Sequence, residues 1–360
     1  MRVLQVDPSA FTPPYDHALC TALARMGEHV TLATSRFGYG DVPPALGYVR
    51  DEGAFYRFQP GAPGGRARLA AKLAQHPVDM LRLRRRARAF EIVHFQWLAV
   101  QHVDRRLLPS GRPVVLTAHD VLPREPRRGQ IDAQRRLYER VDAIVVHSRH
   151  GAGRLIDEAG VDPDKVEVIP HGAFHHLAAI EPAPLPLPDT QVPVVLFFGL
   201  LRPYKGIDVL LDAWRGIDGA ELWIVGNPRM DTAPLRAAAP PNVRFLERFV
   251  SDAEAAALFR RADVAVLPYR QIDQSGVLFT ALAFHTPLIL SAVGGFPEVD
   301  AAMHVPPGDA EALREALAAV LGDENRRAWM RVAAERAVVT GYSWDAIAAR
   351  HIALYARLRA

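Results

Sequence analysis

Cysteine is nearly absent: Cys20 is the only one in 360 residues. That excludes an intramolecular disulfide and any zinc site built on several thiolates. No stretch approaches the roughly 20 uninterrupted apolar residues that a membrane-spanning helix needs. The opening MRVLQVDPSAFTPP has too short an apolar run for a secretory signal. Low-complexity tracts and short-period repeats are lacking as well. What remains, 49% apolar and 23% charged residues, is a globular mixture. These absences predict a cytoplasmic protein, and the length predicts two domains rather than one core.

The net charge of +3 hides an asymmetry. Residues 1–180 hold 25 Lys+Arg against 19 Asp+Glu, and the remainder 18 against 21. The densest stretch is LRLRRRARAF at 81–90. Read as a helix, it sets Met80, Leu83, Ala87 and Phe90 on one side and Arg82, Arg85 and Arg88 on the other. That pattern suits a helix lying on an anionic membrane surface, and equally one packed on a sheet with a solvated arginine face. The first alternative would make the protein peripheral on the inner face of the membrane. Nucleic acid is not expected as a partner, because aromatic residues do not interleave with the arginines.

Short apolar runs alternate with helical patterns. RVLQV at 2–6, HVTLAT at 29–34, EIVHF at 91–95, PVVLTAH at 113–119, AIVVHS at 143–148 and VEVIP at 166–170 predict strands. Helices are expected at 16–26, 66–88, 130–140 and 149–159. The pattern breaks at EPAPLPLPDTQV, 181–192, whose four prolines read as a stiff linker. It restarts with strands at 193–199, 221–226, 242–247, 264–269 and 287–292 and helices at 205–214, 251–262, 275–285 and 309–321. The expected architecture is α/β: a Rossmann-like domain over 1–180, the linker, a second such domain over 193–342, and a terminal helix at 343–360. A cleft between facing strand ends would take the ligand.

The chemistry concentrates in FFGLLRPYKGIDVLLDAW, 197–214. A strand ends at Gly199 and a helix is expected to open near Lys205, so that Arg202 and Lys205 converge before a positive helix end. Such a site suits a pyrophosphate, although surface cations on a loop would read the same way. A second helix start, Ser275-Gly276-Val277, could receive phosphate on its free N–H groups, or be an ordinary cap with Ser275 bonding the first turn. His119, in TAHD at a strand end, is the candidate histidine, with Asp120 able to orient it or to cap the next turn. Asp162-Pro-Asp164 is formally a metal-binding D-x-D, but its loop position is explained by turn chemistry. His171, His175 and His176 lack a partner at ligand spacing, so no metal is expected.

GLLRPYKG at 199–206, IVGNP at 224–228, VRFLERFVSDAEAAALF at 243–259 and HTPLILSAVGGFPE at 285–298 follow one another in a familiar order. Residues 193–300 resemble the donor half of a retaining, GT-B-fold glycosyltransferase of family 4. VVLTAHD at 114–120 and VEVIPHG at 166–172 resemble its front half more loosely. The resemblance implies a terminal helix crossing back to the N-terminal domain, and no cofactor or metal beyond a nucleotide-sugar co-substrate such as a UDP- or GDP-sugar. The acceptor would be a glycan, a lipid-linked molecule or a small molecule. Arg202 and Lys205 would hold the diphosphate, and Ser275, Gly276 and Val277 the distal phosphate. Gly199 and Phe249 would border the nucleotide, His119 would face the transferred sugar, and Glu298 would flank the donor pocket.

The chain departs from that family where two glutamates usually stand. Ile272 and Thr280 occupy those positions; Thr280 could make one neutral bond to the ribose, and Asp273 could shift into the sugar contact. Pro13-Pro14-Tyr15 replaces the usual front-loop glycine pair. These departures support a rival reading, a partner subunit that binds nucleotide or glycan without turnover. The retention of Arg202, Lys205 and His119 argues for the enzyme.

Overall fold

A computed structural model describes residues 1–38, 40–62, 64–98, 100–123 and 128–360. The chain forms two compact units, Met1–Gly172 with Trp344–Ala360, and Ala173–Ser343.

The first unit is built on a parallel sheet of seven strands: β1 (Arg2–Asp7), β2 (His29–Thr34), β3 (Val49–Asp51), β4 (Ile92–Phe95), β5 (Val114–Thr117), β6 (Ala143–Val146) and β7 (Val166–Val168). Their spatial order is β3-β2-β1-β4-β5-β6-β7. Val3 pairs with Val30 on one side and Ile92 on the other, which makes β1 central. The middle strands are buried on both faces, as continuous apolar runs require. The sequence gives no sign of β3, a three-residue edge strand whose Val49 is exposed.

Pro13 and Pro14 open the Pro13–Arg25 helix, where a missing N–H and a fixed φ cost nothing. The Arg66–Arg86 helix buries Met80 and Leu83, and Ala87 follows them inward, as the pattern of 81–90 requires. The last helix, Trp344–Arg359, belongs to this unit. It buries Ile347, His351, Leu354 and Tyr355, and Arg359 bonds Glu91 at 2.6 Å. Gly172 is a glycine because a Cβ there would lie 2.3 Å from the Trp344 ring.

The second unit carries six parallel strands: β8 (Val194–Phe198), β9 (Glu221–Val225), β10 (Val243–Leu246), β11 (Val264–Leu267), β12 (Leu288–Ser291) and β13 (Ala302–Val305). The order is β10-β9-β8-β11-β12-β13. The proline-rich segment is part of this unit. Arg261 donates to the carbonyls of Thr190 (2.6 Å) and Val192 (2.8 Å), and Arg260 to those of Ala178 and Ile180. Two arginines of one helix, Asp252–Arg261, thus hold residues 178–192 by their backbone, so the units divide at Gly172 and not within the prolines.

Candidate functional site

In the second sheet, strand order reverses between β8 and β11, and open parallel sheets collect ligands outside their carboxyl ends at such a reversal. The loop leaving β8 does not run straight into a helix. Pro203 opens a one-turn 3-10 helix, Pro203–Lys205, and Gly206 follows in the left-handed region at φ 67°. The α-helix therefore begins at Ile207, and Lys205 sits in the turn before it. Only glycine fits at 206, since a Cβ would lie 2.0 Å from the Pro268 carbonyl oxygen.

That turn buries Lys205 to 6% exposure. Its ammonium donates to Tyr269 Oη at 2.9 Å and lies 4.6 Å from the centre of the Tyr269 ring. No carboxylate pairs with it among the described residues. Gly199 stands against it: a Cβ there would meet Lys205 Nζ at 2.9 Å and Val277 Cγ2 at 3.1 Å. Gly199, Lys205 and Val277, far apart in sequence, thus share one point. Gly226 lets the end of β9 close on the same place, its Cβ position being 1.7 Å from the Gly199 carbonyl oxygen. Arg202 is exposed. Arg270 bridges Asp208 (2.6 and 2.8 Å) and the Pro203 carbonyl, bracing the turn and holding the Asp208 carboxyl below the usual carboxylate range.

Val277 belongs to the Gly276–Ala283 helix, preceded by Ser275. The Ser275 side chain makes no capping bond, so the ordinary-cap reading does not hold, and first-turn N–H groups have no acceptor within a helix. Thr280 Oγ1 donates to the Gly276 carbonyl at 3.1 Å, which commits the proton expected for a ribose. Ile272 is buried, and its carbonyl oxygen lies 1.7 Å from where Gly294 would carry a Cβ. Asp273 is buried and accepts, through its carbonyl, from Gly295 N–H. Glu298 ends the short turn Phe296–Glu298 beyond the same glycines. Phe249 is 58% exposed, its carbonyl taken by Arg248 at 3.0 Å.

In the first unit, His119 follows β5. Its Nε2 lies 3.3 Å from Gln96 Oε1 and its Nδ1 3.3 Å from His147 Nε2, so these two residues face its ring nitrogens. Trp97 stacks on the ring at 5.0 Å, and Tyr15 meets it edge-on at 4.9 Å. Gln96 donates to Gln5 (2.9 Å), Gln5 to Tyr355 Oη (3.0 Å), Tyr355 to His94 Nδ1 (2.6 Å), and His94 to Thr117 Oγ1 (2.8 Å). That direction fixes the tautomer: His119 gives its one N–H to Gln96, and Nδ1 stays bare. Burial pushes the His119 pKa well below the ordinary value and that of His147 down to about 4. His147 donates Nδ1–H to the Ile169 carbonyl (2.9 Å), so two lone pairs oppose each other between the rings while both are neutral. His119 also lines a pocket of about 190 Å³ with Gln96, Trp97, Asp120, Gln130 and Gln134.

Sequence reasoning missed Tyr269, Arg270, Gln96 and the Gln5–Tyr355 chain. The signal available was a glutamine and a histidine inside otherwise apolar strands. Asp162 accepts from the Asp164 N–H at 3.1 Å, which is turn chemistry, and among the described residues no group of three or more His, Cys, Asp or Glu is placed to hold a metal. No helix among them is long and apolar enough to cross a membrane.

Comparison with known proteins agrees with this layout. The profile of Glycosyltransferase Family 4 matches residues 15–173 and that of Glycosyl transferases group 1 residues 192–323. The chain is 32% identical over 190 residues to a GDP-mannose:glycolipid 4-beta-D-mannosyltransferase of Xanthomonas campestris, covering 51% of each. It thus spans about half that relative's length. A D-inositol 3-phosphate glycosyltransferase of Kineococcus radiotolerans is 27% identical over 400 aligned positions, covering 94% of this chain and 88% of the relative. The fold matches sucrose-phosphate synthase from Thermosynechococcus elongatus with a TM-score of 0.77, at 21% identity and 99% coverage of both chains. With matched profiles over both units and a doubly wound sheet in each, the chain belongs to glycosyltransferase family 4.

Proposed function

We propose that the protein transfers a sugar from a nucleotide-sugar donor to an acceptor hydroxyl with retention of anomeric configuration. The observation that carries this reading is Lys205, a buried ammonium with no carboxylate partner among the described residues, beside Gly199 and the first turn of the Gly276–Ala283 helix. A buried cation is unfavourable unless paired, and a diphosphate supplies the missing partner. Arg202 reaches the same anion from solvent, and the N–H groups of Gly276 and Val277 take the distal phosphate oxygens. Together they stabilise charge on the leaving diphosphate in a preorganised site, without a divalent ion. Gly199 gives the diphosphate room to approach. Phe249, Thr280, Asp273 and Glu298 border the remainder of the donor.

In the first unit, the amide-lined pocket beside His119 suits a neutral polyhydroxylated ring, with Trp97 as an apolar wall. The named relative from Xanthomonas uses GDP-mannose and a glycolipid, so GDP- and UDP-sugars with glycolipid acceptors are the first substrates to assay. Replacing Lys205 by Met should abolish nucleotide diphosphate binding and turnover together; a variant with native turnover would overturn the assignment.

A lipid-linked acceptor implies contact with a membrane surface. The outward side of the Arg66–Arg86 helix exposes Leu69, Leu73, Val78 and Leu81 and ends in Arg84 and Arg85, a stripe that fits an anionic bilayer. Arg82 and Arg86 do not add to it freely, since they pair with Asp79 and Asp51. Sedimentation with vesicles should require anionic lipid and fade with salt; equal binding to neutral vesicles would count against it.

A further inference from the structure

One pocket of the first unit has no part in the donor chemistry above. It measures about 440 Å³ and lies where the chain leaves β2 and β3, lined by Arg36, Glu52, Tyr56, Arg57, Gln59 and Arg68, among others. Both strands end on the carboxyl edge of the sheet, the edge that also carries His119 after β5.

The charges there are unbalanced. Neighbouring cations outside the pocket are neutralised: Arg82 by Asp79, Arg86 by Asp51. Arg36, Arg57 and Arg68 make no ion pair among the described residues, with Glu52 the one carboxylate in the lining. Arg57 Nε donates to the Gly53 carbonyl at 2.7 Å, and Arg68 donates to Gln59, so each guanidinium is held by neutral partners with further N–H groups to give. Gly38 makes room for Arg68, since a Cβ there would lie 2.8 Å from Nη2. Lys72 lies outside the lining, 5.0 Å from the Tyr56 ring centre, and burial and the charge of Arg68 lower its pKa.

The floor is strained. Tyr56 adopts φ 48°, a left-handed conformation that a bulky residue rarely takes. Its N–H is tied to Asp79 Oδ2 at 2.9 Å, and its hydroxyl to His76 Nδ1 at 2.7 Å, with His76 bonded in turn to Asp104. Strain maintained by two buried partners, one of them braced by Asp104, marks a place where ring position matters more than local stability.

We propose that this pocket binds a phosphate group carried by the acceptor, gripped by Arg36, Arg57 and Arg68 beside the Tyr56 ring. Forked guanidinium donors match phosphate oxygens, and three guanidinium groups beside one carboxylate in the lining suit a dianion. β2 and β5 stand three strand spacings apart, so the phosphate lies about 14 Å from the His119 pocket along the sheet edge. That leaves room for one or two sugar rings between phosphate and reacting hydroxyl. The word acceptor rests on the glycosyl-transfer reading; the phosphate site does not.

The test is titration of the full chain with inorganic phosphate and with glycerol 3-phosphate, and flotation with phosphatidylcholine vesicles with and without phosphatidic acid. Arg57→Gln and Arg68→Gln alter partly or fully exposed side chains and should leave the fold intact. Each should weaken phosphate binding roughly 10- to 100-fold, the effect of one lost charge-assisted bond, and leave GDP and UDP affinity unchanged. Binding of the soluble esters that falls in both variants supports the site with a soluble source. Binding confined to phosphatidic acid vesicles that falls in both variants supports it with a lipid headgroup. Binding to neither probe, or binding that both variants retain in full, overturns it. Unchanged GDP and UDP binding in Lys205→Met would instead overturn the donor site and leave this pocket standing.

Discussion

Lys205→Met separates a structural lysine from a ligand-binding one, because the two roles predict opposite signs. In the free protein the ammonium is 6% exposed, and among the described residues its support comes from Tyr269, through a 2.9 Å bond and a 4.6 Å approach to the ring. Desolvating an ammonium costs several kcal/mol. Against that stand a charged hydrogen bond of about 1.5–3 kcal/mol and a cation–π contact of about 0.5–2 kcal/mol. The sum is close to zero or unfavourable. Methionine fills similar volume without charge and leaves only the Tyr269 hydroxyl to lose a donor, at about 1 kcal/mol. The free variant should therefore be between neutral and about 2 kcal/mol more stable than the native protein. For a unit of this size that is an upward shift of up to about 8 °C in Tm. Ligand behaviour should go the other way. At 100 times its dissociation constant a nucleotide adds about 2.7 kcal/mol to the native protein, and this gain should vanish in the variant. Thermal denaturation with and without GDP or UDP reads both quantities. A variant that is markedly less stable when free and still stabilised by nucleotide would refute the reasoning, because Lys205 would then be part of the core and not a receptor.

Tyr355→Phe removes the hydroxyl that joins Gln5 to His94 and leaves two buried polar groups unpaired; a loss of about 1–3 kcal/mol in urea denaturation is expected, with a changed ¹⁵N signature of the His119 tautomer, and an unchanged spectrum would show that the chain does not reach His119. Acid should weaken the first unit. His147 and His351 have folded pKa values near 4, below the unfolded value of 6.5, because burial disfavours their charged forms. Their stabilising effect is complete above pH 6.5 and is lost as pH falls toward 4, at up to about 1.4 kcal/mol per pH unit for each group. His94, His119 and His171, also held low by burial, act in the same direction. Urea midpoints should hold from pH 7.5 to about 6.5 and fall from there to pH 5, and a flat profile throughout would contradict the buried-neutral assignment.

The buried strands were legible because parallel strands covered on both faces must be continuously apolar, whereas the short, partly exposed edge strands β3 and β13 were not. Gly199, Lys205 and Val277 could be singled out from motif order, although the helix expected to open near Lys205 begins at Ile207. A helix through Lys205 is compatible with local propensity, and what forbids it is Pro203 together with a left-handed Gly206 packed on the Pro268 carbonyl. The assignment of the proline-rich segment to the second unit was illegible for a similar reason: it depends on Arg260 and Arg261 meeting carbonyls some 70 to 80 residues away.

The sequence alone therefore determined two doubly wound sheets, a cationic motif after the first strand of the second one, and a histidine at a strand end, since periodicity and local spacing are properties of neighbours in the chain. Tertiary structure alone decided which charges remain unpaired. Among the described residues Lys205 has no carboxylate while Arg270 acquires Asp208, and Arg68 has only the neutral Gln59 while Arg86 acquires Asp51. Whether a cation is neutralised depends on what long-range packing brings within about 4 Å of it, and no local pattern in the chain encodes that distance.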